Sequence, residues 1–236
     1  MKKCNVIELF AGVGGFRIGL DRADSDFYNV VWANQWEPAT KIQHAAMVYE
    51  ARFGKGSICN LDITTVKTED IPDHDILVAG FPCQAFSLAG RRLGFKDETR
   101  GTLFFEIEAI LRKHTPKAFF LENVKGLAIH DKGRTLKTIL EHLDDAGYDV
   151  VPPRILNAMD YGVPQHRERI YIIGFRKDLG IKVDDFHYPE PTTPEGKRAR
   201  FCDVMEKEVP SVKYYLSDVY VETLKRHRAR HEAAGH

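Results

Sequence analysis

The chain has 236 residues, of which 43% are hydrophobic and 29% are charged. This length is enough for one α/β domain with a sizeable core, and the composition is ordinary for a globular protein. Lysines plus arginines number 34, as do aspartates plus glutamates, so the net charge is zero. A free-standing nucleic-acid binder is usually basic, so a DNA-binding role would have to rest on motifs and local patches.

The sequence also disfavours membrane, secreted and metal-binding proteins. No apolar run approaches the roughly 18 residues that a membrane-spanning helix needs. Residues 1–5 enter the first predicted strand directly, without a secretory signal, so we expect a cytoplasmic protein. Four cysteines show no metal-type pairing, and we expect free thiols and no bound metal: Cys4, Cys59, Cys83 and Cys202.

Apolar strands alternate with amphipathic stretches of helix length, which predicts a mostly parallel sheet with helices on both faces. The predicted strands are 5–9, 29–33, 75–79, 117–121, 148–152 and 169–175, with a further short strand allowed near 57–59. The predicted helices are 14–23, 38–52, 102–114 and 133–146. Residues 177–200, rich in Pro, Asp and Thr, are predicted as an exit loop, and residues 217–233 as a charged helix.

A glycine-rich turn, Phe10-Ala11-Gly12-Val13-Gly14-Gly15, lies between the first strand and the first helix. Glycine lets a backbone turn sharply and approach a ligand closely, and a turn at this place is the general dinucleotide-site arrangement. The Gly-x-Gly-Gly spacing departs from Gly-x-Gly-x-x-Gly, which disfavours a phosphate cradle and a generic NAD-binding domain. Glu37, about 20 residues further on, either accepts hydrogen bonds from ribose hydroxyls or begins the next helix.

A cysteine follows a proline just past the third apolar strand, in Gly80-Phe81-Pro82-Cys83-Gln84-Ala85-Phe86-Ser87. A structural cysteine is normally buried in the core, whereas this one is surrounded by Gly, Pro, Gln and Ser. In an open α/β sheet the ligand crevice opens where strands end. The pattern therefore favours a reactive thiol, with a tight turn as the alternative.

Three further charged residues lie at or near strand ends. Glu122 follows the strand 117–121, where a carboxyl group can serve as an acid or cap a helix. Arg167 and Arg169 alternate along the chain and so share one face of a strand. Their guanidinium groups are suited to hold a carbonyl oxygen, a carboxylate or a phosphate, with a surface ion pair to Glu168 as the alternative.

Four motifs, in this order, resemble the DNA (cytosine-5)-methyltransferase family: the glycine-rich turn, Pro82-Cys83-Gln84, Glu122-Asn123-Val124 and Gln165-His166-Arg167-Glu168-Arg169. The resemblance covers about residues 5–176. It implies the Rossmann-like fold of methyltransferases that use S-adenosylmethionine as cofactor. Residues 1–176 would form the catalytic and cofactor-binding domain. Residues 177–236 would then form an exit loop and a helix that lead toward a target-recognition region that this sequence lacks. We therefore expect the chain to be the catalytic subunit of a split enzyme or a fragment of a truncated one.

The resemblance also implies roles for individual residues. Cys83 would attack C6 of the target cytosine, Glu122 would act at N3, and Arg167 and Arg169 would orient the base or the carboxylate. The implied cofactor residues are Phe10, Ala11, Gly12, Gly14, Gly15, Glu37, Asp62, Ile63 and Pro82, with Phe10 stacked on the adenine and Asp62 bound to its amino group. The implied DNA contacts are Gln84, Ser87, Arg91, Arg92 and Arg100, in a loop that closes over a flipped base.

The implied partners are double-stranded DNA and a second polypeptide that carries the target-recognition region, because no segment like the family's last motif follows residue 176. Two alternatives stay open. One is an RNA cytosine-5 methyltransferase, although the Cys-Phe-Thr signature usual in the tRNA branch is not found here. The other is a non-enzymatic regulatory homologue, although such proteins tend to lose the cysteine or the glycines.

Overall fold

A central sheet organises the fold. The computed structural model describes residues 3–82, 103–208, 211 and 215–233. Within these ranges the strands are β1 (Cys4–Leu9), β2 (Tyr28–Asn34), β3 (Ile76–Gly80), β4 (Ala118–Val124), β5 (Tyr148–Val150), β6 (Arg154–Asn157) and β7 (Glu168–Arg176). Their order is β2-β1-β3-β4-β7-β5, and β6 also pairs with β7. The pairs among β1 to β4 are parallel, and β7 runs antiparallel to β4, β5 and β6. The prediction of a mostly parallel sheet is confirmed.

Helices lie on both faces of the sheet, as predicted. They are α1 (Gly15–Asp24), α2 (His44–Phe53), α3 (Leu103–His114), α4 (Arg134–Asp145) and α5 (Asp218–Ala233). Ile7 and Leu9 of β1 belong to a core that also contains side chains of α3 and α4. Glu8 bonds instead to groups on α1 and α2. Because successive side chains of a strand point to opposite faces, the two helix pairs cover opposite sides.

The main core lies between the sheet and the helices α3 and α4, and it includes the fully buried side chains of Phe104, Leu111 and Phe119. Burying each such side chain contributes about 1.5–3 kcal/mol relative to leaving it in water. Packing is tight where β4 meets β7. Gly174 is paired with Phe119, and a methyl group placed on Gly174 would lie 2.3 Å from the phenyl ring. This position therefore requires glycine.

The structure differs from the sequence prediction in three places. Helix α2 begins at His44 rather than at residue 38, because the Gln43 side chain bonds to the backbone N–H and C=O of Glu37 and holds residues 37–43 in a turn. Strand β6 was not predicted, since its four residues show no alternation of buried and exposed positions. Near 57–59 there is one bridge, between Cys59 and Asn34, instead of a strand.

After residue 176, the residues that the structure describes contribute little to the core. In the range 177–200 the structure has three short 3₁₀ turns, at Lys177–Leu179, Val183–Asp185 and Glu195–Lys197. Helix α5 buries none of its residues. No helix in the described part of the chain is both long and apolar enough to cross a membrane.

Candidate active site at the carboxyl ends of the strands

The glycine-rich turn after β1 has three residues in the left-handed backbone region. Phe10, Gly12 and Gly14 have φ angles of 54°, 56° and 89°. A methyl group on Gly14 would lie 2.3 Å from the Phe53 ring, so this glycine is needed for packing as well as for its φ angle. By contrast, methyl groups on Gly12 and Gly15 would meet nothing within 4 Å. The turn therefore has open space next to its backbone, as a ligand cradle requires.

The end of β2 holds this turn from the side. The N–H of Ala11 donates to the Asn34 carbonyl at 3.0 Å, and the N–H of Gly12 donates to Gln35 Oε1 at 2.8 Å. Asn60 in turn donates to the Gln35 carbonyl. No role for Gln35 was predicted from the sequence. The feature that could have indicated one is its position directly after β2, beside the glycine-rich turn.

Glu37 lies half-buried two residues beyond Gln35, and its carboxylate is engaged by α2. Its Oε2 accepts a hydrogen bond from the N–H of Ala45 at 3.3 Å, in the first turn of that helix. The alternative that Glu37 begins the next helix is wrong, because α2 begins at His44. Ribose binding by Glu37 stays a prediction.

Asp62 and Ile63 lie in the segment that follows the Cys59 bridge. Asp62 Oδ1 accepts from the N–H and the hydroxyl of Thr64 at 3.1 and 2.8 Å, which caps a short 3₁₀ turn, and Ile63 is buried. Glu106, at the start of α3, has its pKa raised by burial and by the negative charge of Asp62. The negative charge of Asp62 therefore acts on the carboxyl group of Glu106, which places these two acidic side chains near each other.

Glu122 and two arginines form an ion-pair cluster at the end of β4. Arg169 Nε lies 2.9 Å and Arg167 Nη2 lies 3.7 Å from Glu122 Oε1. Glu168 pairs with Lys125 instead, at 2.8 Å. The structure therefore brings the three predicted residues together and does not support the alternative pairing of these arginines with Glu168.

The other oxygen of Glu122 faces the end of β3. Gly80 and Glu122 are partners in the parallel β3–β4 pair, and a methyl group on Gly80 would lie 3.4 Å from Glu122 Oε2. The chain continues from Gly80 through buried Phe81 to exposed Pro82. Cys83 is the next residue in the sequence.

Asn123 connects these two strand ends. No role of its own was predicted for it from the sequence. It is 2% exposed, and its Nδ2 donates to the Phe81 carbonyl at 2.9 Å. Its Oδ1 accepts from the N–H of Val124 at 2.8 Å. The amide side chain thus fixes the segment that leads to Cys83 relative to β4. The feature of the sequence that could have indicated this role is the position of Asn123 next to Glu122.

Several predicted site residues lie outside the described residues: Cys83, Gln84, Ser87, Arg91, Arg92 and Arg100. Their roles stay predictions. Within the ranges that the structure does describe, no group of three or more His, Cys, Asp or Glu side chains could hold a metal ion.

Comparisons with known proteins agree with this geometry. The family described as C-5 cytosine-specific DNA methylase matches residues 4–236. Type II methyltransferase M.HpaII of Haemophilus parainfluenzae is 51% identical over 237 residues, which cover 99% of this chain and 62% of that protein. M.HhaI of Haemophilus parahaemolyticus is 48% identical over 185 residues, which cover 78% of this chain and 52% of that protein.

A solved structure supports the fold. The S. pombe Dnmt2 methyltransferase matches with a TM-score of 0.70 at 24% identity, over 93% of this chain and 66% of that one. The chain spans less than two thirds of the length of M.HpaII, namely 62%. The match at residues 4–236 and the identity to the Type II methyltransferases together show that the chain belongs to the C-5 cytosine-specific DNA methylase family.

Proposed function

We propose that residues 1–176 form the catalytic and cofactor-binding part of an enzyme that transfers a methyl group from S-adenosylmethionine to C5 of cytosine in double-stranded DNA. One observation carries this proposal: the Glu122 carboxylate, held by Arg169, faces the end of β3 three residues before Cys83. The description of the matching family, C-5 cytosine-specific DNA methylase, supports DNA as the substrate.

The residues at the strand ends fit the proposed cofactor. Open space beside Gly12 and Gly15 leaves room for a ligand, and the carboxyl groups of Glu37, Asp62 and Glu106 suit a cationic one. Phe10 would stack on the adenine, Glu37 would bind the ribose, and Asp62 would accept from the adenine amino group. The remaining cofactor contacts would come from Ala11, Gly14, Ile63 and Pro82. S-adenosylmethionine, when bound, supplies the methyl group as part of a positively charged sulfonium.

The chain's own residues would carry out covalent catalysis on the cytosine. The Cys83 thiolate adds to C6, which opens the C5–C6 double bond and places electron density on C5. Glu122 donates a hydrogen bond or a proton at N3, where negative charge develops. After C5 takes the methyl group, a base removes the C5 proton. The thiolate then leaves C6, and the double bond forms again.

The arginines would orient the reacting groups. Arg169 holds Oε1 of Glu122 at 2.9 Å, which leaves Oε2 to face the base. Arg167 is more exposed and lies at 3.7 Å, so its guanidinium group can also reach O2 of the base or a phosphate. Gln84, Ser87, Arg91, Arg92 and Arg100 would contact the DNA around the flipped cytosine.

The cofactor site predicts that Glu37→Gln and Asp62→Asn weaken binding of S-adenosylhomocysteine. Asp62→Asn keeps an oxygen that can accept from Thr64, so the local turn is preserved while the charge is lost. A lost hydrogen bond to a charged group should lower the affinity roughly 10- to 150-fold in calorimetry. Glu141→Gln is the control, since Glu141 is an exposed residue of α4 that pairs with Lys137. If both site variants bind as tightly as the parent, the cofactor site is misplaced.

We further propose that sequence-specific methylation requires a target-recognition segment beyond the span shared with M.HpaII. The net charge of this chain is zero, and contacts to phosphates give affinity without sequence information. The 236 residues by themselves are therefore expected to bind DNA weakly and without sequence preference.

The test of the function is incubation with labelled S-adenosylmethionine and a mixed-sequence DNA duplex, mapped at base resolution, with tRNA as a parallel substrate. Label at C5 of DNA cytosine supports the proposal, and label confined to tRNA contradicts it. Efficient methylation restricted to one short DNA motif by these 236 residues alone would contradict the need for a further target-recognition segment.

A further inference from the structure

A buried carboxyl group lies under the glycine-rich turn. Glu8, in the middle of β1, is 0% exposed. Its Oε2 accepts a hydrogen bond from the Tyr49 hydroxyl at 2.9 Å, and its Oε1 accepts one from the backbone N–H of Arg17 at 3.4 Å. Burial raises the pKa of Glu8 to about 7. A carboxyl group in such a place is costly unless its partners hold it, so its contacts indicate a role.

One of these contacts caps helix α1 from a distance. Gly14 is the N-cap residue and has no side chain to accept from the first turn, and that turn contains no acidic residue. Arg17 is the third residue of the helix, and its N–H is one of those that a cap normally satisfies. Glu8 therefore supplies, from β1, the acceptor that the local sequence lacks. A carboxylate is also favoured at this end of a helix by the helix dipole.

Helix α2 holds the same turn from the side. The Arg17 Nη1 atom lies 3.4 Å from the Tyr49 hydroxyl, and the guanidinium group lies 4.3 Å from the centre of the Phe53 ring. A methyl group on Gly14 would meet Phe53 at 2.3 Å and Tyr49 at 3.1 Å. Gly14 is thus in contact with α2, while Gly12 and Gly15 have open space beside them.

We propose that Glu8 and Tyr49 are positioning residues for the cofactor, which hold Gly14 and the first turn of α1 so that Gly12 and Gly15 keep the conformation that receives the ligand. This inference rests on the proposed function. Both side chains are buried behind the turn, so they act through its backbone. A fully bonded buried polar network favours one arrangement over others, which is what a preorganised binding turn requires.

The test compares Tyr49→Phe with Tyr148→Phe. Tyr148 is a matched control, because it is also 0% exposed and its hydroxyl donates to the Pro116 carbonyl at 2.9 Å, on β5. Each variant keeps its ring and loses the hydrogen bond that its hydroxyl donates. Tyr49→Phe also loses the 3.4 Å contact from Arg17 Nη1, so its loss of thermal stability is expected to equal or exceed that of Tyr148→Phe. Calorimetry with S-adenosylhomocysteine should show affinity reduced roughly 3- to 10-fold in Tyr49→Phe and unchanged in Tyr148→Phe.

Two further readouts separate positioning from general stability. Amide hydrogen exchange at Phe16 and Arg17 should accelerate in Tyr49→Phe and stay at the parent rate in Tyr148→Phe. Glu8→Gln keeps an acceptor for the Arg17 N–H, and its amide N–H can donate to the Tyr49 hydroxyl oxygen, so the network is retained and affinity should stay within about twofold of the parent. Glu8→Ala removes the acceptor of the Arg17 N–H. If Glu8→Ala does not fold, the comparison of Tyr49→Phe with Tyr148→Phe decides the test.

The outcomes distinguish this inference from the proposed function. If the parent binds S-adenosylhomocysteine and Tyr49→Phe binds equally tightly, the positioning role is wrong while the cofactor site stands. Equal losses of affinity in Tyr49→Phe and Tyr148→Phe also overturn the positioning role, since they would reflect lost stability alone. Failure of the parent chain to bind overturns the cofactor proposal and this inference with it.

Discussion

Replacing Cys83 with serine is expected to abolish covalent capture of DNA that carries 5-fluorocytosine at the target position. Addition of the thiolate to C6 and methylation at C5 proceed with this base, but the fluorine cannot leave as a proton does. The thiol is therefore not eliminated, and the adduct accumulates. A serine hydroxyl is a far weaker nucleophile at neutral pH, since its ionised fraction is negligible whereas a free thiol has a pKa of about 8.5.

The measurement is a denaturing gel of the chain with the fluorinated duplex, S-adenosylmethionine and the recognition segment. Cys202→Ser is the control, because Cys202 is an exposed free cysteine far along the chain from the Pro-Cys-Gln motif. It should give the same adduct yield as the parent. An adduct that survives in Cys83→Ser, or that is lost in Cys202→Ser, would assign the nucleophile to another residue.

The sequence predicted six of the seven strands and the meeting of Glu122 with the two arginines for a physical reason. Apolar runs of strand length indicate the strands, and the carboxyl ends of the parallel strands β3 and β4 share one edge of the sheet. The arginines reach that edge because β7 runs antiparallel to β4 and begins there. Arg167 directly precedes β7 and Arg169 is its second residue, so alternation puts both on one face, and both reach Glu122 in the structure. These features depend only on local periodicity and on the direction of the strands.

Other contacts depend on pairing register and could not be predicted in this way. Gln35 reaches the Gly12 N–H because β2 lies beside β1 with Asn34 opposite Leu9, a register that a single sequence does not reveal. Asn123 reaches the Phe81 carbonyl for a similar reason, since Gly80 is opposite Glu122. Both are amide side chains that bond backbone groups across strands.

Glu8 shows a different limit of sequence reasoning. A charged residue within the apolar run Val6–Leu9 breaks the pattern of a buried strand, yet the strand is buried on both faces. Its explanation lies in Tyr49 and Arg17, which are far apart in sequence and meet it through the packing of α1 and α2. A buried polar residue that violates the local pattern is often linked to a functional site, and here it lies beneath the glycine-rich turn.

The largest effect expected among the described residues is that of Glu122→Gln on the methylation rate. Glutamine has the same shape, and its Oε1 can still accept from Arg169 Nε, which lies 2.9 Å from Glu122 Oε1. It cannot donate a proton at N3, so the negative charge that builds up on thiolate addition is no longer neutralised. General acid–base catalysis contributes about 10²–10⁴ in rate, and we expect a loss of about 10²-fold or more.

Single-turnover methylation measures this step, with the recognition segment present and calorimetry of S-adenosylhomocysteine alongside. Cofactor affinity should change little, because Glu122 faces Gly80 on β3 and not the glycine-rich turn. Glu168→Gln is the matched control: it makes the same chemical change at the neighbouring carboxylate, which pairs with Lys125 at 2.8 Å. If Glu122→Gln methylates as fast as Glu168→Gln and the parent, the ion pair of Glu122 with Arg169 is structural, and the group that acts at N3 is a different one.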